Sequence, residues 1–69
     1  MSPDPIAGTV TAFDPGRGLG EVTGADGRRW RFHCVEIADG SRTIEVGSGV
    51  KFTAQPKLGR WEAANLRPT

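Results

Sequence analysis

Turn residues divide this chain into five short runs in which apolar and polar residues alternate. The first run spans residues 6–13, and the strong turn Asp14-Pro15-Gly16 ends it. A period of two is typical of a half-buried strand, because successive side chains point to opposite faces of a sheet. Five short strands must close on themselves or leave unpaired edges exposed. The pattern therefore predicts an all-β protein built as a small barrel.

The other four strands are predicted from the same alternation. They are expected at residues 18–23, 28–34, 50–54 and 61–66. The sequence Gly24-Ala25-Asp26-Gly27 supplies a hairpin turn between the second and third strands. Residues 35–49 form the longest irregular stretch, where we expect a loop over a few apolar residues and one short helical turn. Residues 56–60 are expected to break the chain between the last two strands.

The length of 69 residues limits the chain to one domain. A unit this small buries only roughly 60% of the surface that its unfolded chain exposes, which makes a large catalytic cleft improbable. Residues 1–5 contain two prolines and no apolar period, so they are predicted to form a flexible N-terminal leader. The single domain is predicted to span residues 6–69.

Charge and cysteine content exclude several classes of protein. Nine basic and eight acidic residues give a net charge of +1, which lacks the strongly basic footprint of most nucleic-acid binders and neither proves nor excludes such a partner. The one cysteine cannot form an internal disulfide and has no partner at metal-ligand spacing, so no metal site or cofactor is expected. No apolar run approaches the length of a membrane span or a signal core. We expect a soluble cytoplasmic protein without a membrane partner.

Two neighbouring segments carry most of the information on function. They are RGLGEV at residues 17–22 and WRFHC at residues 30–34. In the second segment, the strand period places Trp30 and Phe32 on one face, which is predicted to be core. Arg31 and His33 share the opposite face and are predicted to be exposed.

The ordered motifs of this chain resemble those of bacterial cold-shock proteins over residues 8–66. The matching segments are Gly8-x-Val10-x-x-Phe13, Gly18-x-Gly20-x-Val22, Phe32-His33 and Ala63-Ala64-Asn65-Leu66. The resemblance implies a five-stranded antiparallel oligonucleotide-binding (OB-fold) barrel of the cold-shock-domain type. It also implies binding of single-stranded RNA or DNA by stacking of bases on exposed rings. A barrel of the SH3 type would suit five short strands as well, but it explains these motifs less well.

The chain departs from that family at the stacking positions themselves. Where family members carry rings, this sequence has Ala12, Leu19, Glu21, Arg31, Cys34 and Ser41. His33 is the ring that remains, with Phe13 beside it as a ring expected to be half buried. Stacking on such surfaces is worth about 1–3 kcal/mol per base, so these substitutions predict weak binding.

Two hypotheses follow for the face formed by the first three strands. In the first, the domain binds single-stranded RNA or DNA mainly through arginines, whose guanidinium planes contact phosphates or stack on bases. Its candidate nucleic-acid-binding residues are Phe13, Arg17, Leu19, Arg31, His33, Arg60 and Trp61. In the second, the same face is a protein–protein interaction module with Leu19 as an apolar anchor. Glu21 favours the second, because a carboxylate repels phosphates unless Arg31 on the next strand pairs with it.

The arginines leave a further choice open. Arg17, Arg28, Arg29, Arg31 and Arg60 either gather around this face or belong to an ordinary mixed surface with acids between them. Trp61 is either an exposed ring that partly replaces the missing ones or a lid over one end of the barrel. Each alternative gives the same strands but a different contact surface.

Other chemistry is not indicated by the sequence. Residues 16–20 hold three alternating glycines, but no helix or lysine follows, so a turn is expected rather than a phosphate loop. His33 is the only histidine and has no acid or cysteine at ligand spacing. Cys34 is expected to be partly buried and to point away from His33. Without a nucleophile, an acid–base pair or a metal set, no catalytic residue and no enzymatic activity are predicted.

Overall fold

The computed structural model describes residues 5–38, 40 and 43–69, and only the backbone of Lys57. Most of the predicted leader, residues 1–4, and the stacking position Ser41 lie outside the described residues. The elements, in chain order, are β1 (Ile6–Asp14), β2 (Leu19–Gly24), β3 (Arg29–His33), a 3₁₀ turn (Cys34–Glu36), β4 (Gly49–Lys57) and β5 (Arg60–Pro68). The five predicted strands are therefore all present, and the short helical turn begins directly after β3.

The strands close into a barrel in the order β1-β2-β3-β5-β4, which confirms the all-β, five-stranded architecture. Every pairing is antiparallel except the one between β3 and β5, which is parallel and short. This one parallel pairing departs from the antiparallel arrangement of the rest of the barrel for a geometric reason. An odd number of strands cannot alternate in direction all the way round a closed barrel.

The core consists of the inward side chains of each strand. Phe32, Phe52 and Leu66 are its largest fully buried members, with valines at positions 10, 22 and 50 around them. Trp30 was predicted to be core, but it is only partly buried and packs edge-on against Phe52 with 5.8 Å between ring centroids. The tryptophan is too large for the interior of a barrel this small, so it covers the core from one side.

A bulge in β1 changes which side chains face inward. Val10 pairs with Val22, but the next pair is Ala12 with Glu21, so Thr11 is an extra residue on β1. An extra residue shifts the alternation by one position beyond the bulge. Phe13 consequently turns toward the interior and stacks on Phe32, with 6.0 Å between centroids and an interplanar angle of 11°.

The hairpin between β4 and β5 is longer than predicted. Its strands continue to the pair Lys57 and Arg60, which leaves a two-residue turn of Leu58 and Gly59. Pro56 was expected to break β4, yet it lies within the strand. Beyond Phe52, β4 has no partner in β1, so the N–H that proline lacks is not needed on that side. No helix of the described residues is long and apolar enough to cross a membrane.

Candidate nucleic-acid interface

The outer face of β1, β2 and β3 presents the residues that the sequence singles out. Leu19 lies opposite His33, and Glu21 lies opposite Arg31 in the β2–β3 register. Next to them is an open groove of about 340 Å³, lined by Ala12, Phe13, Asp14, Arg17, Leu19, Gly20 and Arg31. Four of the candidate residues therefore share one groove: Phe13, Arg17, Leu19 and Arg31.

The turn after β1 positions one side of the groove. Asp14 Oδ1 accepts hydrogen bonds from the backbone N–H groups of Gly16 and Arg17, at 3.0 and 3.3 Å, which fixes the turn after β1. That turn carries Arg17 to the groove, where its Nε lies 3.8 Å from Asp14 Oδ2. Both side chains are well exposed, so the pair orients Arg17 but contributes little stability.

Glu21 does not make the contact that was expected of it. Although Glu21 and Arg31 are register partners, their side chains form no ion pair. Instead, Glu21 Oε1 accepts a hydrogen bond of 3.3 Å from the hydroxyl of Thr11, the extra residue of the β1 bulge. The Thr11 and Thr23 hydroxyls are 3.1 Å apart. The charge of Glu21 is thus held on the face without being neutralised by an arginine of the described residues.

The arginines divide into two groups according to their partners. Arg28 Nε lies 3.6 Å from Asp26 Oδ2, and this residue lines one end of the barrel rather than the β1–β3 face. Arg29 and Arg31 both lie on the outer face of β3, two positions apart. Within the described chain, neither forms an ion pair. Arg60 is likewise exposed and forms no ion pair there. Among the described residues, Arg29, Arg31 and Arg60 are therefore cations without an ion pair. Arg17 lies at the groove and is paired with Asp14, and Arg28 lies away from this face.

A second depression continues the surface beyond β3. It measures about 280 Å³ and is lined by His33, Leu58, Arg60 and Glu62. His33 is half exposed, whereas the Glu62 side chain keeps only 10% of its surface. Glu62 was not singled out from the sequence. The signal for it is a charged residue between Trp61 and the two small apolar residues Ala63 and Ala64.

Trp61 is apart from the other six candidates. It lies at one end of the barrel with Ile6, Trp30 and Ala54, which have the same inward orientation on their strands. Trp61 remains 61% exposed, so it covers that end only in part. Beside it, the Nε1 of Trp30 is buried and has no hydrogen-bond partner among the described residues.

The side chains that could react or bind a metal ion are few in the described residues. Cys34 is a free, partly buried thiol directly after β3, as expected. Within the described part of the chain, no three His, Cys, Asp or Glu residues are placed to hold a metal ion.

The closed five-stranded barrel and its exposed β1–β3 face define a small protein of the oligonucleotide-binding barrel class. No family model matches the chain. A comparison with curated proteins found that it is 37% identical to cold shock protein 1 of Lactiplantibacillus plantarum over 62 residues. The match covers 88% of this chain and 94% of the relative. The chain therefore belongs to the cold shock protein family, which confirms the resemblance seen in its motifs.

Proposed function

We propose that this protein binds single-stranded RNA or DNA weakly, through arginines more than through aromatic stacking. The observation that supports this most is the groove beside the β1–β3 face, which is lined by Phe13, Arg17, Leu19 and Arg31. Membership of the cold shock protein family favours the same ligand. His33 and Arg60 extend the contact surface into the second depression.

The chemistry of the groove suits a flexible, negatively charged strand. Arg31 has no carboxylate partner in the described chain, so its guanidinium is available to a phosphate or to the face of a base. Phe13 and Leu19 offer apolar surface beside it, but Phe13 is partly committed to its stack on Phe32. One half-exposed histidine and one half-buried phenylalanine provide less stacking than several free rings, so affinity is expected to be low.

The alternative function, a protein–protein interaction module, has weaker support. It relies on Leu19 as an apolar anchor, yet Leu19 is itself partly buried between neighbouring strands. Its main support is Glu21, whose carboxylate has no cationic partner among the described residues. A protein partner that uses this face would lose affinity when Leu19→Asp is introduced, whereas the nucleic-acid proposal depends on the arginines.

The test is a titration of the protein with labelled single-stranded oligonucleotides at low and at physiological salt. Arg31→Ala is expected to weaken binding and to reduce the slope of log affinity on log salt by about 0.7, because one phosphate contact with a single strand is lost. Arg67→Ala is the matched control. Arg67 is also an exposed arginine, but it pairs in register with Lys51 on the far side of the barrel.

Arg67→Ala is expected to change neither the affinity nor the slope. An absence of binding by the unaltered protein at low salt would overturn the proposed function. Binding that Arg31→Ala and Arg67→Ala weaken equally would show that the strand lies on another surface.

A further inference from the structure

Glu62 has a buried carboxylate, and one of its oxygens accepts no hydrogen bond from the described residues. The residue is 8% exposed, and its Oε1 has no hydrogen-bond partner among the described residues. The Nε2 of His33 lies 3.5 Å from this oxygen. That separation makes a weak ion pair when the histidine is protonated, and it is too loose for a hydrogen bond in this arrangement. A buried acceptor without a donor raises the free energy of the folded protein until a donor is supplied.

The position of Glu62 explains both its burial and its direction. It lies opposite Arg31 across the parallel β3–β5 contact and opposite Gln55 on β4. Its side chain therefore lies on the outer surface of the barrel, where His33 covers it. Glu62 and His33 both line the second depression, so the carboxylate forms part of the wall of an open site.

The rest of that wall suits a planar ring. His33 offers an imidazole, Arg60 offers a guanidinium, and Leu58 is a fully exposed apolar side chain at the edge of the site. Imidazole and guanidinium planes both stack on bases. A ligand that fills this depression must be flat, so that it can stack on His33 or Arg60. It must also donate N–H groups to the carboxylate of Glu62. A nucleobase of a single strand that already lies on the neighbouring groove meets both requirements.

We infer that the depression formed by His33, Leu58, Arg60 and Glu62 is a base-binding subsite that prefers guanine. Guanine carries two adjacent donors, N1–H and the N2 amino group, which match the two oxygens of a carboxylate. Adenine and cytosine each offer one amino group next to an acceptor nitrogen. Uracil and thymine offer one N–H between two carbonyl oxygens, and these oxygens would face the carboxylate unfavourably. The paired, charge-assisted contact is strongest with guanine.

Access to Oε1 requires only that His33 move. The His33 side chain is 48% exposed, and exposed side chains change rotamer within nanoseconds. When the ring swings outward, Oε1 meets the base edge and the imidazole stays close enough to stack. This inference rests on the proposed function, since it names the base that the same binding surface selects.

The experiment compares oligoribonucleotides of about seven nucleotides, a length within the range for one barrel of this type. Each is uridine except for one central position, which holds guanine, inosine, adenine, cytosine or uracil. The unaltered protein is expected to bind the guanine oligomer about tenfold more tightly than the uridine one, as for a good paired contact. Inosine lacks the N2 amino group, so it should lose most of this preference. That comparison requires no protein variant.

Glu62→Gln replaces one acceptor oxygen by a donor and keeps the size of the side chain. It is expected to abolish the preference for guanine over uracil while the protein keeps its thermal melting transition. Glu21→Gln is the matched control, because it removes the same charge from the β1–β3 face outside the subsite. It should tighten binding of all the oligomers by a similar factor and leave the guanine preference intact.

The outcomes separate this inference from the proposed function. If no oligomer binds at low salt, both are overturned. If the oligomers bind with equal affinity, or if Glu62→Gln keeps the guanine preference, the subsite inference is overturned and the proposed function stands. A guanine preference that is lost with inosine and with Glu62→Gln, but kept with Glu21→Gln, supports the subsite.

Discussion

At the scale of single residues, Gly20 shows how tightly the β1–β3 face is packed on the core. A Cβ at this position would lie 2.3 Å from Cζ of Phe32 and 3.0 Å from the carbonyl oxygen of Ala12. The first of these atoms belongs to a fully buried ring and the second to the backbone, so neither moves easily. Gly20 therefore allows Phe32 to pass directly beneath the groove.

We expect Gly20→Ala to lower the free energy of unfolding by about 1–3 kcal/mol, the usual range for overpacking. Urea denaturation would measure this as a lower midpoint with an unchanged slope. Gly16→Ala is the matched control, because a Cβ there meets only Asp14 Oδ1 at an ordinary 3.4 Å. Equal stability of the two variants would contradict the packing explanation.

Glu21 is the residue that opposes binding most directly. We expect Glu21→Gln to tighten binding of a single strand up to about fivefold at low salt, the Coulomb energy of one charge near 4 Å in water. Glu21→Phe should tighten it further, because a ring adds base stacking. Fluorescence titration of the three proteins would check the order. An unchanged affinity in both variants would mean that the strand does not pass over this position.

The sequence predicts side-chain orientation well wherever a strand is regular. Phe32 and His33 have the predicted opposite orientations, since alternation alone decides them. Thr11 shows the limit of this method. Its bulge turns Phe13 inward, and nothing in the alternating pattern reveals where an extra residue will be accommodated.

At the scale of secondary-structure elements, the turn between β4 and β5 holds an unfavourable residue. Leu58 and Gly59 have φ angles of 48° and 83°, so both central residues of this two-residue turn are left-handed. Such turns favour Asn-Gly, whereas leucine in this region is strained. The Leu58 side chain is fully exposed and compensates with no burial. Leu58 instead lines the edge of the second depression, where it provides exposed apolar surface.

We expect Leu58→Asn to raise the free energy of unfolding by about 1 kcal/mol, because asparagine tolerates the left-handed conformation. Thermal and urea unfolding would both detect the change. Leu58→Ala separates backbone strain from side-chain loss: it removes the exposed atoms but keeps the strain, so its stability should match that of the original protein. A gain of stability from alanine as large as that from asparagine would show that strain is not the cause.

The element scale also shows why Glu62 could not be identified from the sequence. Its burial depends on His33, which is distant along the chain and is brought close by the parallel contact between β3 and β5. Local alternation predicts each strand but not which strands become neighbours across the barrel closure. A second bulge adds to the difficulty, because Asn65, with a φ of 55°, lets both Ala63 and Leu66 face inward.

At the scale of the whole molecule, the placement of charge matters more than its sum. The net charge of +1 gives no general attraction to nucleic acid. Three exposed arginines nevertheless have no ion-pair partner in the described chain: Arg29 and Arg31 on β3, and Arg60 beside the second depression. The order of the motifs indicates the family and the barrel. It does not indicate which cations are neutralised by neighbours, because that depends on side-chain contacts such as those of Asp14 and Asp26.

This placement sets the expected salt dependence of the intact protein. Each phosphate neutralised on a single strand contributes about −0.7 to the slope of log affinity against log salt, so three contacts give a slope of about −2. Titrations with one oligonucleotide at several salt concentrations would measure it. A slope near zero would mean that stacking and hydrogen bonds carry the binding. A slope steeper than about −4 would require cations beyond these three, because the same relation then counts six or more phosphates. A slope near −2 agrees with a binding surface in which a few unpaired arginines replace the missing rings.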